Sequence, residues 1–146
     1  MTATVFVDTN VLLYAIDVTN PAKREMARSW REQLWLSRRG RVSVQVLQEF
    51  YANVIRKHPA ARDQARAEIL NLLAWRPVAM DTDILSLGWQ LQDRFQLSFW
   101  DSLIVAAAKS SSCKFLLTED LQSGQDLDGI TVLDPFSAEP SAILSE

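Results

Sequence analysis

The sequence predicts an α/β fold, a three-layer α/β/α sandwich around a mostly parallel sheet of about five strands. Three observations carry that prediction. Short apolar runs at Val5–Val7, Val42–Val44, Pro77–Met80, Lys114–Leu117 and Ile130–Leu133 alternate with stretches of helical length and period. Two of the runs stop at acids, at Asp8 and at Thr118–Glu119–Asp120, where ligands meet the strand ends of open parallel sheets. A chain of 146 residues with 48% hydrophobic content suits one domain with a real core. That domain is expected to run through about Phe136, with 137–146 as a loosely ordered tail.

In chain order, Val5, Phe6 and Val7 are β-branched or aromatic and suit a strand buried on both faces. Asp8, Thr9 and Asn10 can cap the short apolar helix that follows. After the Asn20–Pro21 breaker, Lys23 to Arg38 reads as a helix with Met26, Trp30 and Leu34 on one face and Trp35 off it. The Trp30 and Trp35 helix, with its arginines, is a candidate contact for a partner or for nucleic acid. Val46 to Ile55 has helical period, with Val46, Phe50 and Val54 inward and Glu49 beside that stripe. Ala61 to Trp75 reads as another amphipathic helix, and Asp81 is an N-cap for one reaching about Phe95. Ser98 and Asp101 have the spacing of a capping box, and Ala106 to Ala108 would let their helix lie close to the sheet. Gly124 and Gly129 punctuate the loop to the last strand.

Composition excludes several classes. One cysteine, Cys113, permits neither an internal disulfide nor a multi-cysteine zinc site, and the only histidine, His58, precedes Pro59 without a nucleophile motif. The apolar runs are too short to cross a bilayer, so a soluble, cytoplasmic protein is expected. Net charge is −3, but it is unevenly spread. Through Arg76 there are 12 Lys and Arg against 7 Asp and Glu; from Pro77 there are 3 against 11. A basic face beside an acidic one follows, so overall acidity does not exclude RNA.

Each of Asp8, Glu49, Asp101 and Asp120 has an ordinary explanation as a cap, turn or surface residue. Their joint placement says more. Right-handed βαβ connections set the ends of the first and fourth predicted strands side by side and aim the helix starts at the same edge. Two carboxylates about 4 Å apart repel by roughly 4 kcal/mol at an effective dielectric near 20. Such a set shares protons or binds cations, and an all-oxygen set without His or Cys favours Mg²⁺ or Mn²⁺. Acids holding hard divalent ions suit phosphodiester hydrolysis by water, which needs no protein nucleophile.

Four blocks, DTN at Asp8–Asn10, VLQEFY at Val46–Tyr51, FWDSLIVAAA at Phe99–Ala108 and LLTEDLQSGQ at Leu116–Gln125, occur in an order that resembles PIN-domain ribonucleases, in particular VapC-type toxins of toxin–antitoxin pairs. The resemblance covers the chain to about Phe136. It implies a PIN-like, Rossmann-like nuclease domain, Mg²⁺- or Mn²⁺-dependent endoribonuclease activity, an RNA substrate, a homodimer and a cognate antitoxin. Carried over by position, Asp8, Glu49, Asp101 and Asp120 fall on the family's acidic, catalytic and metal-holding positions, and Asn10 and Thr118 on its supporting polar ones. Glu119 stands at a position that varies in the family, and either joins the site or points away.

Other proteins also place Asp after a first strand. A receiver needs a Lys after a later strand, where Leu117 and Thr118 stand; a haloacid-dehalogenase-type phosphatase needs a second Asp where Asn10 stands. From a different class, the chain could be a non-catalytic RNA-binding or scaffold module whose acids only cap helices.

Overall fold

The computed structural model describes residues 3–144. The chain enters through β1 (Val5–Val7), turns into α1 (Thr9–Tyr14) and α2 (Pro21–Ser37), and returns as β2 (Gly40–Arg41). Helices α3 (Val44–Lys57), α4 (Arg62–Leu72), α5 (Thr82–Phe95) and α6 (Phe99–Ser110) then lead to β3 (Phe115–Leu117). A hairpin of β4 (Asp126–Leu127) and β5 (Ile130–Leu133) closes the sheet, and α7 (Ser141–Leu144) ends the described chain.

The sheet order is β2-β1-β3-β5-β4, parallel except for the β4–β5 pair. Register sets Val5, Phe6 and Val7 opposite Phe115, Leu116 and Leu117. From β1 the chain goes first to β2 on one side and later to β3 on the other. The winding therefore reverses between β1 and β3, and the crevice beyond their carboxyl ends is the switch point where such sheets bind ligands. Val5, Phe6, Leu116 and Leu117 are fully buried, so each residue that follows these strands is aimed by a rigid base. Fully burying side chains of this size contributes roughly 1.5–3 kcal/mol apiece.

Helices pack against one another and on the sheet: α1 on α2 and α3, α3 on α4, α5 on α6, and α6 on β3 and β5. The result is a three-layer α/β/α sandwich. Helix α6 is buried continuously from Ser102 to Ala108, as three successive alanines permit. Its partner α5 comes close at Gly88, where an added Cβ would stand 2.8 Å from Leu103 Cδ2. That close crossing fixes where the start of α6 lies.

Three expectations about the strands and one about a helix face are corrected. The second strand is Gly40–Arg41 rather than Val42–Val44, because Ser43 already caps α3 by accepting from Val46 N–H. Pro77–Met80 is no sheet strand: its proline lacks an N–H, Asp81 at once caps α5, and only Val78 bridges, to Ser43. The remaining strand is instead β4, which reaches β5 through Asp128 and Gly129, both at positive φ (57° and 97°). An Asp-Gly pair between apolar residues is the sequence signal for such a two-residue hairpin. Trp30 is 1% exposed and its indole N–H donates to the carbonyls of Pro135 and Ala138, which removes it from any partner surface.

The segment 137–146, expected to be loosely ordered, carries α7, whose Ile143 and Leu144 pack against the core; residues 145 and 146 lie outside the described residues. No described helix is long and apolar enough to cross a membrane.

Candidate active site

Asp8 leaves the end of β1 as the N-cap of α1 and is 5% exposed. Its Oδ1 accepts from the Thr9 N–H at 2.7 Å and its Oδ2 from the Thr118 hydroxyl at 2.8 Å. Thr118 is the fully buried residue that follows β3, so the neighbouring strand ends are tied directly across the switch point. The same hydroxyl oxygen accepts from Asp120 N–H at 3.1 Å, which turns the chain after β3 and brings Asp120 forward.

Asn10 lies one step into α1 and reaches across the crevice. Its Nδ2 donates to Thr118 Oγ1 at 3.0 Å and to Asp120 Oδ2 at 3.1 Å, and stands 3.5 Å from Asp8 Oδ2. Glu49, on α3, is held from two directions. Thr9 Oγ1 donates to its Oε2 at 3.1 Å, and Gln45, one turn earlier, donates to its Oε1 at 2.7 Å. Gln45 Nε2 also reaches the Trp100 carbonyl at 3.3 Å, linking α3 to the first turn of α6. Asp101 stands in that turn, with its backbone N–H capped by Ser98 Oγ.

The electrostatics tie the acids together. Burial pushes the Asp8 carboxyl up to about 7; the bonds from Thr118 and Thr9 oppose the rise, and the charges of Asp120 and Glu49 add to it. Asp101 is raised too, first by burial and then, against the Ser98 bond, by the charges of Asp120 and Glu49. Each perturbed acid therefore feels the same two neighbours.

The sequence-derived residues fall as follows. Asp8, Asn10, Thr118 and Asp120 form one hydrogen-bonded group, Glu49 joins its edge through Thr9, and Asp101 faces it electrostatically. Glu119 points elsewhere, into an ion pair with Lys23 at 2.8 Å beside Tyr14. What the structure does not make is a closed cage: among the described residues no three acids stand within reach of one ion. Thr9, Asn10 and Thr118 stand between the carboxylates as neutral bridges.

The donor set fits a hard divalent cation. It consists of carboxylate, hydroxyl and amide oxygens, the ligand class of Mg²⁺ and Mn²⁺. Asn10 and Gln45 spend their amide N–H groups on the acids and on the Trp100 carbonyl, leaving Asn10 Oδ1 and Gln45 Oε1 buried without a protein partner. Buried carbonyl oxygens without partners are what a bound ion or ordered water would satisfy. Thr9 and Gln45 are the site residues that sequence reasoning missed as such. Gln45 did carry a signal, since it precedes Glu49 by one helical turn and shares its face.

Residues 5–124 match the PIN domain family. The chain belongs to the PIN-domain family. Solved structures share the fold of this PIN domain. A toxin–antitoxin complex from Klebsiella pneumoniae is similar at a TM-score of 0.63 and 18% identity, over 90% of this chain and 98% of that one. The sarcin–ricin-loop-cleaving toxin VapC20 of Mycobacterium tuberculosis gives 0.62 and 22%, over 77% and 87%. A DNA-bound VapBC complex from Salmonella typhimurium gives 0.64 and 18%, over 92% and 99%. At these identities the likeness speaks for the fold of the PIN domain. No curated protein matches it.

Proposed function

We propose that this PIN domain is a Mg²⁺- or Mn²⁺-dependent endoribonuclease and the toxin of a toxin–antitoxin pair. The observation that carries the reading is Asp8: a buried carboxylate at the switch point, raised to about 7, among oxygen donors two of which lack partners. Structural relatives that are toxins, toxin–antitoxin complexes among them, support the antitoxin partner.

In this reading Asp8, Glu49, Asp101 and Asp120 are the catalytic acids and the residues that would hold divalent metal. Bound there, a hard divalent ion supplies Lewis acidity toward the phosphate and lowers the pKa of an attacking water. The chain's own residues do the rest. Thr118 and the Thr9 N–H keep Asp8 Oδ1 and Oδ2 oriented, Asn10 keeps Asp120 facing them, and Gln45 with Thr9 fixes Glu49. Glu119 stands outside this set and holds Lys23 beside the rings of Tyr14 and Phe136. The reading includes a homodimer, for which Trp89 and Leu70 offer exposed apolar surface, and a cytoplasmic place of action on RNA.

One observation favours a second reading, a non-catalytic RNA-binding or scaffold module: the acids are separated by neutral bridges and hold no ready-made cage. RNA cleavage separates the two. The wild type should cut RNA with Mg²⁺ or Mn²⁺, and Asp8→Asn or Asp101→Asn should abolish cutting with the fold intact. Full activity of either variant, or of the wild type in excess chelator, would overturn the nuclease reading.

A further inference from the structure

Trp35, Arg38, Arg41, Ala74, Trp75 and Arg76 line an open cleft of about 580 Å³ on the side of the sheet away from the acids. We propose that this cleft binds a nucleotide unit of single-stranded RNA, the base against Trp35 and the phosphates against Arg38, Arg41 and Arg76. The proposal takes RNA as ligand from the reading above and adds a second place of contact.

The topology separates the two places. Val5 N–H, at the start of β1, donates to the Arg39 carbonyl at 2.9 Å, and Val5 pairs with Gly40. Asp8 follows the other end of the same strand, about 10 Å further along. Arg76 is brought beside β2 because the next segment pairs with the start of α3: Val78 N–H donates to the Val42 carbonyl and Val44 N–H to the Val78 carbonyl. Trp75 lies flat on Gly40, where any Cβ would stand 2.4 Å from its ring.

Three arginines, Arg38, Arg41 and Arg76, gather on this one cleft, and among the described residues none of them pairs with a carboxylate. Arg41 donates to the carbonyls of Arg38 and Gly40 at 3.2 and 2.8 Å, which fixes its guanidinium without neutralising it. Arg31, by contrast, is paired with Glu68 at 2.8 and 2.7 Å, and its guanidinium lies 4.8 Å from the Trp35 ring centre and 5.2 Å from that of Trp75. Trp35 thus packs against the Arg31 guanidinium and is still 39% exposed. Arg38 and Arg76 both sit in the left-handed region at helix ends (φ 60° and 53°), where glycine is the usual residue. Gln96, Ser112 and Asp128 share that backbone region, and what sets Arg38 and Arg76 apart is that both bring a long charged side chain to the same cleft.

Guanidinium groups beside an exposed indole match the two parts of a nucleotide. Guanidinium binds phosphate oxygens through paired N–H donors, and a base stacks on an aromatic face. An acidic protein segment would satisfy the charge and leave the indole without a planar partner.

The test is fluorescence anisotropy with a labelled single-stranded octaribonucleotide, in chelator so that nothing is cut. Arg38→Gly/Arg76→Gly suits it because glycine is at ease at both backbone angles. Wild type should bind, and the double variant should bind about tenfold more weakly, with a log–log salt slope shallower by about 1.4 for two lost phosphate contacts. Trp35→Ala should weaken binding by about tenfold or more. No binding by wild type, or equal affinity and slope in the variants, overturns the proposal. So does a double variant that changes oligomeric state in sedimentation yet binds RNA unchanged, which would make the cleft a protein interface. A mononucleotide that binds as tightly as the octamer assigns the cleft to free nucleotides, and the RNA-strand proposal falls. Binding in chelator is independent of cutting, so RNA held by the cleft but never cleaved keeps this inference and removes the nuclease reading.

Discussion

Asp8→Asn should stabilise the metal-free chain at pH 8 and leave its stability about unchanged at pH 5. The folded carboxyl ionises at about 7 against an ordinary 3.8, chiefly because it is buried. Between those values the folded chain holds a proton that the unfolded chain has released. Stability therefore falls as pH rises through that window and levels off above about 7. At roughly 1.36 kcal/mol per pH unit, the penalty is about 2 kcal/mol at pH 5 and about 4 kcal/mol at pH 8. Asparagine carries no such penalty. It brings a different cost, because Thr118 Oγ1 already accepts from Asn10 Nδ2 and Asp120 N–H and has only its O–H to offer position 8. An amide N–H turned toward that oxygen leaves a bond unmade, at about 1–3 kcal/mol. This second cost does not depend on pH, so the difference between the two pH values isolates the charge. Urea unfolding of both proteins in chelator should give a stability difference that shifts by about 2–3 kcal/mol in the variant's favour from pH 5 to pH 8. In melting temperature that is about 5–10 °C for a domain of this size. The same stability difference at both pH values would refute the burial argument for Asp8.

Adding Mn²⁺ to the wild type at about one hundred times its dissociation constant should contribute about 2.7 kcal/mol, raising the melting temperature by roughly 5–10 °C, while Asp8→Asn should show little of that rise. Gln45→Ala should leave the fold intact and weaken metal binding by about 10–100-fold, read by Mn²⁺ titration calorimetry, because Glu49 Oε1 loses its 2.7 Å donor. Gly88→Val should destabilise by about 1–3 kcal/mol in urea unfolding, since the new Cβ meets Leu103 Cδ2 at 2.8 Å.

Much of this was legible in the chain. Val5–Val7 followed by Asp8, and the apolar run ending at Thr118, announce strand ends because burial on both faces and an abrupt carboxylate are local facts. The capping role of Ser98 was legible for the same reason. What could not be read depends on distant pairings. Thr9 meets Glu49 only because α1 packs on α3, 40 residues later. Glu119 was open between two orientations until Lys23, 96 residues away, fixed it outward. The Asp128–Gly129 hairpin is a different case, since its Asp-Gly signal is local but glycines at 124 and 129 fit plain loop punctuation equally well.

Thr9, Asn10 and Thr118 have a consequence for how such a molecule is made. With hydroxyl and amide groups set between Asp8, Glu49 and Asp120, these three carboxylates have hydrogen-bond partners in the chain without any ion. If the site takes a divalent ion as proposed, folding and loading are separate events, and the supply of ions governs only the second.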